Sequence, residues 1–269
     1  MTTVLRPLSL SELLDRTFFL YRKHFVLFVG IVALPQLIVL AIQLIGGVIR
    51  LQGSIFGALG ISLVAAVVNI LALTAAHAAT VIAVSDVHLD RPTSIGSAFS
   101  GVKNRLLGII GIIFLVDLGI GIGFVLLIAP GVYLALTWAL AIPVTVLEGT
   151  GLNGTVNRST TLTKDDKGRI FIVALLIAIL VWVAALIIDL PLGIIAALAN
   201  GHNPTALSGW MTIFTSVGAF ISTSLVGPLM TIALTLFYYD NRVRKEGFDL
   251  QLMMATMQPA AQSATAITS

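Results

Sequence analysis

Two ionisable residues, His77 and Asp117, stand inside stretches of this chain that are otherwise free of charge. An ionisable group held among apolar residues in a membrane is costly, so each calls for a partner or a task. A carboxyl and an imidazole at similar depth can relay a proton, hold a polar solute, or tie two helices by a hydrogen bond. Counting from the nearest basic or acidic flank puts Asp117 at a depth of about 15 Å and His77 at about 13 Å. Gln36, Thr137 and Thr231 fall in the same layer, while Asn69 and Asp189 lie further out. One acid and one histidine make a thin pathway, and the reading preferred from the residues alone is a helix-to-helix tie. The runner-up is a small transporter or permease-like subunit that uses the Asp117–His77 layer.

A second group of residues gathers at span boundaries. Asp86, Glu148 and Asp240 each end a returning apolar stretch, where a negative charge opposes the helix macrodipole. They therefore want basic partners, and Arg91, Arg158 and Arg242 are nearest in sequence. These acid–base sets are read as ties at the interface. Arg16, Arg22, Lys23, Lys103 and Arg105 flank apolar stretches and are candidates for contact with anionic lipid headgroups.

A catalytic constellation is not visible. There is no H-E-x-x-H, G-x-S-x-G or Walker sequence, and the chain has no Cys. His24, His88 and His202 are too dispersed for a metal site. We expect no catalytic residue, no metal, no cofactor and no enzymatic activity. Gly119 and Gly123, with Gly121 between them, form a G-x-x-x-G that suits close helix packing. No strand precedes it, so it is not a dinucleotide fingerprint.

These residues must be positioned by elements that live in lipid. Of the 269 residues, 58% are hydrophobic and only 10% charged, against about 25% charged in a soluble domain. The sequence pI of about 9.4 does not signal nucleic acid, because the net charge is only +3 and the bases flank apolar runs. Six spans are expected near 25–48, 56–85, 107–128, 131–147, 170–190 and 210–238, against the roughly 20 residues a bilayer requires, with the fourth short. Arg6, Arg16, Arg22, Lys23, Arg91, Lys103, Arg105, Arg158, Lys164, Lys167, Arg169, Arg242, Arg244 and Lys245 then share one side, and Arg50 alone takes the other. The positive-inside rule puts both termini in the cytoplasm.

The segments between spans are patterned too. On a wheel of roughly 100° per residue, Leu10, Leu13, Leu14, Phe18, Leu20, Tyr21 and Phe25 share one arc. Phe19 is the large misfit. Ser9 and Glu12 make a capping box, with Leu8 and Leu13 placed as a hydrophobic staple. Ile95, Ala98, Phe99, Val102 and Leu106 repeat the pattern, and Leu152, Val156 and Ser159 repeat it more weakly. Each segment is expected to lie in the membrane interface with its apolar face down. Thr163, Asp165 and Asp166 suit the N-terminus of the fifth span. The expected fold is an all-α polytopic membrane helix bundle with six transmembrane helices and three cytoplasmic interfacial amphipathic helices. It forms a single domain over 1–255, arranged as a threefold parallel repeat with units of about 8–91, 92–149 and 150–249. The tail 256–269 is small and polar and is expected to be disordered.

Two stretches carry a family resemblance. The opening runs Arg6-Pro7-Leu8-Ser9-Leu10-Ser11-Glu12-Leu13-Leu14-Asp15 to Leu20-Tyr21-Arg22-Lys23-His24-Phe25. The close runs Phe237-Tyr238-Tyr239-Asp240-Asn241-Arg242-Val243-Arg244-Lys245-Glu246-Gly247-Phe248-Asp249-Leu250. Between them lie Glu148, Gly149, Arg158, Ser159, Leu162 and Thr163. Together they resemble the bacterial family called the glycerophosphoryl diester phosphodiesterase membrane domain. In the proteins that give the family its name, this bundle is joined to a soluble phosphodiesterase barrel. That barrel is not expected in these residues, so none of its active-site groups is carried over. Thr160, Lys164 and Asp165-Asp166 depart from the family pattern, which more often has aromatic or basic residues there. The resemblance implies a bacterial inner (cytoplasmic) membrane location. The expected role is a non-enzymatic scaffold or accessory module whose partners are membrane lipids and other membrane proteins, not nucleic acid. The oligomeric state is open.

Overall fold

The computed structural model describes residues 7–52, 54–199, 204–248 and 254. Among them the fold is entirely helical: α1 (Leu10–Lys23), α2 (Phe25–Leu51), α3 (Ile55–His88), α4 (Ile95–Lys103), α5 (Leu106–Leu126), α6 (Ile128–Thr137), α7 (Ala141–Glu148), α8 (Leu152–Thr163), α9 (Lys167–Ala199) and α10 (Pro204–Glu246). Six stretches are long and apolar enough to cross a membrane: Phe25–Arg50, Phe56–His88, Leu106–Leu126, Ile128–Glu148, Lys167–Ile195 and Gly209–Glu246. The protein is thus a multi-pass membrane helix bundle. Arg6, His202, Asp249, Leu250 and the tail 256–269 lie outside the described residues.

The fourth span departs from the single helix expected over 131–147. It is two helices, α6 and α7, interrupted at Trp138–Leu140. Pro143 supplies the reason. It has no N–H for the carbonyl of Ala139, and its ring crowds that carbonyl, so a continuous helix is disfavoured there. The Ala141 N–H instead reaches back to Trp138 O at 2.9 Å, a tighter turn. Pro35, Pro191 and Pro228, by contrast, sit inside unbroken helices. The fifth and sixth spans therefore run well past the limits read from hydropathy.

Local signals set the helix ends. Ser9 Oγ accepts from the Glu12 N–H, and the Glu12 carboxylate accepts from the Ser9 N–H at 2.8 Å, closing the box that starts α1. Ser94 and Ser97 close a similar box on α4. Gly149, at φ +65°, ends α7 in the left-handed conformation that glycine adopts without strain.

α10 is the organising element, packed against α1, α2, α3, α7, α8 and α9. The core holds Phe28 and Ile31 of α2, Val81 and Val84 of α3, and Ile232, Leu236, Phe237 and Tyr238 of α10. α1 does not turn its apolar arc away from the bundle. Leu13 and Leu20 are buried, and Leu10, Leu14, Phe18 and Tyr21 pack on the same core. The ends of neighbouring helices offer α1 a ready apolar surface, so its stripe is covered by protein. Phe19, the misfit on the wheel, is 53% exposed. Gly119 and Gly123 face the hairpin partner: a Cβ at Gly119 would meet the Trp138 ring, and one at Gly123 would meet Gly131.

Candidate functional site

α1, α4, α8 and the last turns of α10 gather at one end of the bundle, called here the basic end. The α2–α3 turn with Arg50 marks the far end, where Arg50 donates to Ser62 Oγ at 3.0 Å. Two ionic clusters form at the basic end, both centred on α10.

In the first, Asp240 has no exposed side-chain surface. Its Oδ2 takes hydrogen bonds from Arg169 at 3.0 Å and Arg244 at 2.9 Å, while Oδ1 accepts the Leu8 N–H at 2.7 Å. The same two guanidiniums also donate to Leu8 O, at 2.9 and 2.5 Å. The residue before the cap of α1 is therefore clamped to α9 and α10. Asp240 does not pair with Arg242, the nearest base in sequence. Two residues on along a helix is roughly 200° around it, whereas Arg244 at i+4 shares the face of Asp240.

In the second, Arg158 of α8 bridges Glu148 at 2.9 Å and Glu246 at 2.5 Å. Arg242 bonds Glu246 at 3.1 Å, and the Tyr238 hydroxyl donates to Glu148 Oε1 at 2.9 Å. The Glu246 carboxylate beside Arg158, aided by Glu148, holds that guanidinium above its ordinary pKa against the opposing effect of burial. Nearby, Asn241 Nδ2 and Lys245 Nζ donate to Leu162 O at 2.8 and 3.0 Å. Asp86 and Arg91 form no ion pair among the described residues; their link is through the backbone, Arg91 N–H to Asp86 O at 2.7 Å.

The five bases Arg16, Arg22, Lys23, Lys103 and Arg105 stand outside both clusters, and none makes an ion pair among the described residues. Arg22 and Lys23 are exposed beside a groove of about 540 Å³ lined by Asp15, Phe18, Phe19, Arg22 and Lys23. Arg16 and Lys23 sit over the Phe19 ring at 5.7 and 5.8 Å from its centroid. Desolvation lowers the pKa of the neighbouring His24, and the Lys23 charge adds to the shift. At near-neutral pH the rim of the groove is thus cationic through Arg22 and Lys23, without help from His24. The Tyr21 hydroxyl turns inward and donates to Leu225 O of α10, and burial raises its pKa.

The mid-depth residues are not joined into one polar cluster among the described residues. Asp117 lies exposed on the outward face of α5, and no hydrogen bond joins it to His77 among the described residues. A face with Phe114, Leu118 and Val125, all exposed, carries it. Gln36 instead bonds Asn69, its Nε2 donating to Oδ1 at 3.3 Å. Thr231 is buried, and its carbonyl accepts from Thr235. Thr137 marks the break between α6 and α7: its carbonyl accepts from Ser159 Oγ at 3.0 Å and from Thr163 Oγ1 at 3.0 Å, the latter sharing its one proton with Ser159 O at 2.9 Å.

Reasoning from spacing missed Arg169, Arg244, Tyr238 and Glu246 as members of the clusters. Asp240, Arg244 and Glu246, Arg242 are i,i+4 pairs, so half of that signal was present in the sequence. The cross-helix partners carry no local signal. Thr163, expected at the opening of the fifth span, is instead the last residue of α8 and is buried against Thr137.

A family model described as the membrane domain of glycerophosphoryl diester phosphodiesterase matches residues 109–267, more than half of the chain. No curated protein and no solved structure matches. The matched segment covers most of α5 and all of α6 to α10, so both α10 clusters fall within it except for Leu8, while the α1 groove lies outside.

Proposed function

The chain belongs to the family of the membrane domain of glycerophosphoryl diester phosphodiesterase, and from that premise we propose a non-enzymatic scaffold or accessory module that holds anionic lipid headgroups at its basic end. The proposed setting is the bacterial inner membrane, with the basic end and both termini cytoplasmic. The observation that carries the reading is the α1 groove. Its two exposed bases form no ion pair among the described residues, with Asp15 in the same lining paired to neither, while Arg158, Arg169, Arg242, Arg244 and Lys245 are all held by carboxylates. A phosphate at the rim would meet Arg22 and Lys23, and an acyl chain would lie along Phe18 and Phe19. The clamp on Leu8 fixes α1, so the groove is shaped before a lipid arrives.

The transporter reading asks for Asp117 and His77 in one cavity. Asp117 on the outward face of α5 gives that reading no support.

The test is lipid retention. The full chain in phosphatidylcholine nanodiscs doped with phosphatidylglycerol or cardiolipin should keep anionic lipid through detergent exchange, as read by native mass spectrometry. Arg22→Gln with Lys23→Gln should lower the retained anionic lipid severalfold, and Lys164→Gln should leave it unchanged. Equal retention by the double variant and the wild type would overturn the reading.

A further inference from the structure

A separate cavity of about 120 Å³ lies between α2, α3 and α10, nearer the far end. Its polar lining is Gln36, Gln43, Asn69, Ser216 and Thr223. Counting from the span ends at Arg50 and Gly209 puts Gln43 and Ser216 about 10 Å below the far surface, and Gln36 and Thr223 about 20 Å below it. The cavity is a polar pocket set in apolar surroundings, and it lies nearer the end opposite the α1 groove.

The lining is not self-satisfied. Gln36 donates to Asn69, and Ser216 donates to Thr212 O. Gln43 and Thr223 make no hydrogen bond among the described residues, and the Gln36 carbonyl oxygen and the Asn69 amide nitrogen have no further partner there. Free amide and hydroxyl groups at this depth cost several kcal/mol each when nothing meets them in hydrocarbon, on the order of a lost hydrogen bond. A polar occupant removes that cost. No acid, base or histidine lines the cavity among the described residues, so they offer no charge complement to an ion. What it offers is an array of neutral donors and acceptors. The space is large enough for several water molecules or one small polar solute.

We propose that this cavity is a binding site for a small neutral hydroxyl compound that enters from the far side of the membrane. Three side-chain amides and two hydroxyls offer both donors and acceptors, which suits a polyol, itself donor and acceptor at each hydroxyl; the lining holds no fixed charge to balance a carboxylate or an ammonium. The hydroxyls come from a free polyol or from the glycerol of a lipid headgroup. The proposal stands apart from the headgroup reading at α1, which uses different residues at the opposite end.

The chain has no cysteine, so single thiols can be placed without background. Thr223→Cys in phosphatidylcholine proteoliposomes is treated with methyl methanethiosulfonate. Modification should run at least about tenfold faster than at Leu63→Cys on the exposed surface of α3, because only a hydrated thiol ionises. Free glycerol should slow Thr223→Cys without slowing Gln52→Cys in the far-end turn; protection by phosphatidylglycerol in the bilayer instead identifies the headgroup as the source. Adding Asn69→Leu should keep the labelling and remove the protection. Labelling that neither polyol slows shows water alone and overturns the proposal. If Thr223→Cys and Ser216→Cys both stay unreactive while Gln52→Cys reacts, the cavity is closed and dry, and the proposal fails as well.

Discussion

Asp240 shows what a single residue does in this fold. Its carboxylate is fully covered, yet two guanidiniums and a backbone N–H meet it. Removing one partner of a fully buried pair costs about 3–5 kcal/mol. Here Arg169 and Arg244 keep 23% and 34% of their side-chain surface, so Asp240→Ala should cost less, about 2–3 kcal/mol. Asp165 gives the contrast: it is 76% exposed and 3.6 Å from Lys245, and Asp165→Ala should change stability by under about 0.5 kcal/mol. Unfolding of the two variants in the same detergent micelles measures the difference. The sequence showed that Asp240 ends a span and needs a cation. It did not show which one, because Arg169 lies 71 residues away and such distance leaves no periodic trace. Glu148 and Arg158, only 10 residues apart across a glycine turn, were within reach of sequence reasoning.

At the scale of elements, the break between α6 and α7 is the feature that hydropathy hides. The stretch is apolar throughout, so it reads as one span, and only Pro143 hints at the interruption. α8 answers it. Its buried residues include Thr155, Ser159 and Thr163, and two of these hydroxyls meet the Thr137 carbonyl. Spacing alone cannot tell a hydroxyl that faces a freed carbonyl from one that faces solvent. A carbonyl has two lone pairs, so either donor satisfies it in part. Ser159→Ala and Thr163→Val should therefore each cost about 1 kcal/mol or less, and the double variant should lose about 1–3 kcal/mol more than their sum. A double-mutant cycle on unfolding reads this directly. Simple additivity would mean that water, not protein, satisfies the carbonyl in the single variants. α1 gives the same lesson from the other side. Its cap and stripe were legible, but what covers the stripe was not, since protein and lipid are equally apolar.

At the scale of the whole molecule, the number of spans and the gathering of bases were legible because lipid imposes length and charge rules on every segment. The function was not, because cavities arise between helices distant in sequence: Gln36, Asn69 and Ser216 come from three of them. The account rests on one asymmetry, that every described lysine and arginine except Arg50 lies at one membrane surface. Single cysteines at Lys23, Lys103, Lys164 and Gln52 of the cysteine-free chain test it in intact cells with an impermeant thiol reagent. Gln52→Cys should label from outside, while the other three should stay protected until the membrane is opened. Labelling of Lys164→Cys from outside, with Lys23→Cys protected, would put the bases on both surfaces and contradict the account.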